Sequence, residues 1–115
     1  MIALEVCLNG KRVCLAGTDD LRVLSAHVTA CGRLGSKTRA VRPDESAPDL
    51  FYSVGGLTSR EPPQHDVHVR WKGITDMKVG DTVSIRIIET EKADRARYRY
   101  RAKKRKKPKA GARSV

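Results

Sequence analysis

The feature that narrows the fold most is a pattern at the N-terminus. Residues 2–8 (IALEVCL) and 11–16 (KRVCLA) alternate apolar with other side chains, and Asn9-Gly10 stands between them. Successive side chains of a strand point to opposite faces, so a period of two marks strands with one buried face. Asn-Gly fills the two central positions of a tight hairpin turn, which demand positive φ. A two-residue turn also sets the register, pairing Leu8 with Lys11, Val6 with Val13 and Leu4 with Leu15. Ile2, Leu4, Val6, Val13 and Leu15 are then expected in the core. Glu5, Cys7, Arg12 and Cys14 are expected on the opposite, more polar face.

The rest of the chain continues in the same style. Gly17 closes the hairpin and Thr18-Asp19-Asp20 reads as a turn. Residues 21–31 fit either a strand, with Leu24, Ala26, Val28 and Ala30 on one face, or a helix capped by Thr18, with Leu21, Leu24, Val28 and Cys31 in a stripe. Two valines and a threonine favour the strand. Residues 32–48 form a Gly/Ser/Pro-rich loop, long for a compact domain and therefore expected to be either functional or disordered. Residues 50–54 are the next strand, which Gly55-Gly56 is expected to end. Pro62-Pro63 excludes helix and central strand from the loop that follows. Residues 66–72 alternate, with Val67, Val69 and Trp71 inward and His68 and Arg70 outward. After a turn at 77–81, Val83, Ile85 and Ile87 share one face of a strand spanning 82–89. Six strands with this spacing predict an all-β fold, a small, mainly antiparallel sandwich or open barrel.

Charge divides the chain. Residues 1–91 hold 12 Lys/Arg and 12 Asp/Glu, and residues 92–115 hold the other 12 basic residues against Asp94 alone, so the net charge of +11 belongs to the C-terminal segment. The expected organisation is a neutral β domain over 1–91 and a basic tail over 92–115. Within the tail, Arg95, Arg97, Arg99 and Arg101 alternate with Ala96, Tyr98, Tyr100 and Ala102, which predicts an extended segment with arginines and tyrosines on opposite sides. The run Lys103, Lys104, Arg105, Lys106 and Lys107 lacks the apolar mass to offset ordering entropy, so the tail is expected to be disordered or extended. Cations in this pattern neutralise phosphates and release counterions, Arg forks onto phosphate oxygens, and Tyr98 and Tyr100 can stack on bases. DNA or RNA is therefore the expected partner, bound without base preference, because phosphate contacts carry no sequence information. A solubilising tail, a nuclear import signal (KKRKKPK) and an anionic membrane surface remain the other readings of the same residues.

Other chemistries find little support. The three cysteines, Cys7, Cys14 and Cys31, are odd in number and form no CxxC pair, which argues against a disulfide framework or a zinc ribbon. Cys7 and Cys14 are diagonally offset in the expected hairpin, poorly placed for a disulfide. Reduced thiols fit a cytoplasmic protein, or a nuclear one if the source is eukaryotic. No apolar run reaches the length of a membrane span, and the first residues do not read as a signal peptide. His65 and His68 flank Asp66 without ligand spacing to the cysteines, so no metal site is expected. A cysteine nucleophile paired with His27 or His68 lacks any motif that would position it, and Gly55-Gly56 lacks the strand–loop–helix context of a phosphate cradle. No catalytic residue and no cofactor are expected, and the chain is not read as an enzyme.

Two resemblances accompany this reading. Lys78-Val79-Gly80-Asp81-Thr82-Val83, with the basic finish up to residue 101, resembles the approach to the last strand of OB-type RNA-binding barrels, which implies nucleic acid as a partner. More widely, the MIALEV and NGKR of residues 1–12, Ala16-Gly17, VGGL at 54–57, VRW at 69–71 and Val79-Gly80-Asp81 look like a group of small uncharacterised bacterial β-rich proteins. That likeness covers residues 1–90, implies no activity, and makes the neutral domain the common unit. The expected function is a small nucleic-acid-associated protein that grips the phosphate backbone through its tail. The alternative is a protein–protein interaction module that binds through a sheet edge or the 32–48 loop, with the tail incidental.

Overall fold

The structure is a computed structural model that describes residues 1–45 and 47–101. It is all-β, with seven strands: β1 (Ile2–Leu8), β2 (Lys11–Ala16), β3 (Leu21–Cys31), β4 (Asp49–Thr58), β5 (Val67–Asp76), β6 (Val83–Glu89) and β7 (Tyr98–Arg101). A 3-10 turn, Pro63–His65, lies between β4 and β5. Two sheets form, one ordered β2-β1-β6 and the other β3-β4-β5-β7, and every ladder is antiparallel. Among the described residues no helix is long and apolar enough to cross a membrane.

The Asn-Gly hairpin forms as the sequence predicts, with Asn9 at φ 51° and Gly10 at φ 81°. Its side chain does more than turn the chain. The Asn9 amide donates to Asp81 Oδ1 (3.0 Å), its carbonyl accepts from Thr82 N (2.8 Å), and its own N–H donates to the Thr82 carbonyl (2.8 Å). The hairpin tip is thereby tied to the 78–81 turn that launches β6. The expected register holds next to the turn, at Leu8 opposite Lys11 and Cys7 opposite Arg12. A bulge between Val6 and Cys7 then pairs Val6 with Cys14 and Leu4 with Ala16. An inserted residue reverses the alternation beyond it, so Cys14 and Ala16 enter the core in place of Val13, while Leu15 is also buried.

The core is aliphatic with one large ring. Val6, Cys14, Ala16, Val54, Val69 and Trp71 are buried together, with Leu4, Leu21, Leu24, Ala26, Val67, Val83 and Ala96 packed around them. Residues 21–31 are strand, not helix. β4 runs through Gly55-Gly56 instead of ending there: a Cβ on Gly56 would strike the Val23 carbonyl oxygen, so glycine lets β3 and β4 approach at an irregular register. The principal cross-sheet contacts join β1 to β3 and β2 to β5. β6 has its principal contacts with β1 alone, and Ile85 (44% exposed) and Ile87 (72% exposed) stay open although they lie on the expected apolar face.

The seventh strand is the main departure from the six expected. Tyr98–Arg101 pairs with β5, placing Arg101 opposite Val67, Tyr100 opposite His68, Arg99 opposite Val69 and Tyr98 opposite Arg70. Arg99 and Arg101 continue the Val67/Val69 row at a sheet edge, where solvent still reaches them. Upstream, Asp94 fixes the segment to the body. Its N–H donates to the Leu15 carbonyl (2.8 Å), its carboxylate accepts from Leu15 N (2.8 Å), and its carbonyl accepts from Trp71 Nε1 (2.7 Å). The sheet therefore extends ten residues past the point where the charge balance changes.

The three thiols have distinct surroundings: Cys14 is buried, Cys7 half-buried and Cys31 exposed. Burial, then the nearby Asp94 carboxylate, pushes the Cys14 thiol up to about 11. A thiol that seldom ionises is a poor nucleophile. A maleimide reagent at neutral pH is expected to label Cys31 rapidly in the native protein and Cys14 only after denaturation. Mass spectrometry of labelled peptides checks this, and fast native labelling of Cys14 would contradict the bulged register.

Two turn carboxylates are tuned for the charged form. The Thr18 hydroxyl, then the Arg60 guanidinium (Nε–Oδ2 2.7 Å), hold Asp20 below its ordinary value. The Asn9 amide and the Lys78 N–H do the same for Asp81. A carboxylate depressed in the folded state makes the unfolded chain the stronger proton binder. Its stabilising contribution is complete above the unfolded value, about 3.9, and is lost as the pH falls below it. The urea midpoint is expected to drop between pH 5 and pH 3, and to drop less in Asp20→Asn.

Candidate nucleic-acid interface

The expected contact residues divide into two groups. Arg95, Arg97, Tyr98, Arg99, Tyr100 and Arg101 belong to the described chain, the last four as β7. Lys103, Lys104, Arg105, Lys106 and Lys107 lie outside the described residues.

β7 is placed by hydrogen bonds that begin before it: Arg97 N donates to the Arg70 carbonyl at 2.8 Å, which starts the ladder with β5. Residues opposite each other across an antiparallel ladder share a face. Tyr98 and Tyr100 consequently stand with Arg70 and His68 on the outer face of the four-stranded sheet, away from Val69 and Trp71. Both tyrosines remain open, at 47% and 45% exposure. The Arg97 guanidinium lies over the Tyr98 ring (5.7 Å to its centroid) and that of Arg70 over the Tyr100 ring (5.9 Å). His68 approaches Tyr100 with ring centroids 6.3 Å apart. Arginines stacked on exposed aromatic faces at these distances form cation–π pairs.

Beside this cluster the sheet is hollow. Ser25, Ser53 and Gly55 face outward on β3 and β4, and their small side chains leave a groove of about 340 Å³. His27 stands on one side of it, and His68, Arg70 and Tyr100 on the other. Among the described residues its lining contains no carboxylate. Arg70 is half-buried and forms no ion pair among the described residues. The outward alternation of His68 and Arg70 is visible in the sequence, but their meeting with Tyr100 and with the small floor of β3 and β4 is not. That requires the β5–β7 pairing, for which the tail's charge gave no signal.

The other candidates are placed as follows. Asp66 accepts from Arg60 N (2.6 Å) and from the buried Thr58 hydroxyl (3.4 Å), so its carboxylate organises the 58–67 connection. Among the described residues no three or more His, Cys, Asp or Glu side chains gather closely enough to hold a metal ion. Between β3 and β4 the described residues form turns, pinned by Thr38 N to the Gly35 carbonyl (3.1 Å) and Val41 N to Glu45 Oε2 (2.9 Å). Comparison with protein-family models, with curated proteins and with solved structures finds no match for this chain.

Proposed function

We propose that this chain is a small nucleic-acid-associated protein that holds the phosphate backbone through the cationic segment beginning at Arg95. The observation that carries the reading is the position of β7. Its Arg/Tyr alternation lies exposed along the edge of a sheet and leads directly into the run Lys103–Lys107. Residues 1–101 hold 17 basic against 13 acidic side chains, so most of the attraction to a polyanion resides beyond β7. Phosphate contacts of this kind are sequence-independent and strongly salt-dependent. The test is fluorescence anisotropy with a labelled oligonucleotide over a range of salt, together with the 260/280 nm absorbance ratio of protein purified with and without nuclease. Binding that ignores salt, or no binding at low salt, overturns the reading.

One observation favours a second reading, a protein–protein interaction module. Ile85 and Ile87 lie exposed on β6, whose outer edge has no strand partner among the described residues. Such an edge supports strand addition by another chain. Under this reading a bound protein survives nuclease treatment and the loss of residues 102–115.

A further inference from the structure

We propose that the outer face of the β3-β4-β5-β7 sheet is a second, base-contacting site, so that a single-stranded nucleic acid lies across the sheet as well as along the basic arm, residues 102–115. One base stacks on Tyr100, another on Tyr98, and a phosphate between them meets Arg70. The inference rests on the nucleic-acid reading above and adds to it a site on the folded body.

Four features of the face select this occupant. The tyrosines are two residues apart on one strand, about 6.8 Å, which gives each ring room for its own base. Both are half exposed on a backbone held by the β5 ladder, so no chain segment has to be ordered for them to stack. Arg70, half-buried and without a carboxylate partner among the described residues, is already desolvated in part and offers its donors to an anion. The groove floored by Ser25, Ser53 and Gly55 holds about 340 Å³, at the lower end of small-ligand sites and suited to a single nucleotide unit.

The same features exclude a duplex as the primary ligand. Paired bases hide their faces in the stack, and a broad sheet fits neither groove as a two-stranded ribbon does. They also separate a nucleic acid from a polyanion without bases. Inorganic polyphosphate can satisfy the arm and Arg70, but it gains nothing from Tyr98 and Tyr100.

The experiment compares the full chain with the full-chain variants Tyr100→Ala, Tyr100→Phe and Ser53→Trp. The probes are a labelled oligothymidylate, its duplex with oligoadenylate, and inorganic polyphosphate. Tyr100→Ala is expected to weaken oligothymidylate binding about tenfold at fixed salt, with an unchanged salt slope and unchanged polyphosphate affinity, because stacking is lost and charge is not. Tyr100→Phe should restore binding, and Ser53→Trp, which fills the groove from an outward-facing position, should weaken it. Thermal melts of each variant show whether the fold is intact, and the Phe variant separates lost stacking from lost structure. Equal affinity of Tyr100→Ala and the parent for the single strand overturns the proposal, as does an equal loss for polyphosphate or a preference for the duplex. A cut after Arg101 distinguishes the two claims. If it abolishes binding while Tyr100→Ala has no effect, the sheet site is wrong and the arm stands; the converse result leaves the sheet site and removes the arm.

Discussion

Cutting the chain after Glu91 is expected to lower the free energy of unfolding by about 2–4 kcal/mol, and restoring residues 92–101 is expected to recover it. The boundary follows from the charge balance, yet three hydrogen bonds cross it at one residue. Asp94 caps Leu15 from both sides and accepts the Trp71 indole N–H at 2.7 Å. Trp71 is only 4% exposed. Without Asp94 its donor is left buried and unpaired, at a cost of about 1–3 kcal/mol. Ala96 leaves the core rim and β5 becomes an open edge. Urea unfolding of the full chain and of fragments ending at residues 91 and 101, followed by Trp71 fluorescence, reads all three effects. Equal midpoints for the two fragments would mean that β7 and its anchor add nothing to the fold. The result also governs how binding experiments are designed, since a fragment ending at residue 91 removes cations and destabilises the body together.

How much of this was legible in the sequence depends on the range of the forces involved. Short-range chemistry was readable. Asn9-Gly10 announced the hairpin, β-branched residues favoured strand over helix at 21–31, and Val67, Val69 and Trp71 alternated inward as expected. The bulge after Val6 was not readable, because residues on either side of an inserted position keep the same period of two. It alone moves Cys14 from the polar face to the core. The exposure of β6 was equally hidden: Ile85 and Ile87 carry a core pattern, yet their strand has its principal contacts with β1 and not with the other sheet. The candidate site shows the same division. Arg95 to Arg101 and the two tyrosines stood out by composition, whereas their union with His68 and Arg70 depended on a pairing across thirty residues of chain. Charge was a misleading guide at that point, because Asp94, the one acid of the segment, is the residue that ties it to the body.

The salt dependence of binding is the second large effect expected. Residues 102–115 contain seven Lys and Arg and no acid. Each cation that neutralises a phosphate of a single strand adds about 0.7 to the slope of log affinity against log salt. If all seven meet phosphate, removing them lowers the slope by about 5. Between 50 and 200 mM salt that difference corresponds to about a thousandfold in relative affinity. A chain ending at Arg101 keeps Tyr98, Tyr100, Arg70 and the four arginines from Arg95 to Arg101, so its residual binding should be weaker and its salt dependence shallower, set by the cations that remain. Tyr98→Ala in the full chain should instead shift the whole line downward and leave its slope alone. The two perturbations therefore act on different axes of one plot, intercept for stacking and slope for charge. Parallel lines for the full and shortened chains would mean that the lysine run touches no phosphate, and the cations of the folded body would then have to carry whatever attraction is measured.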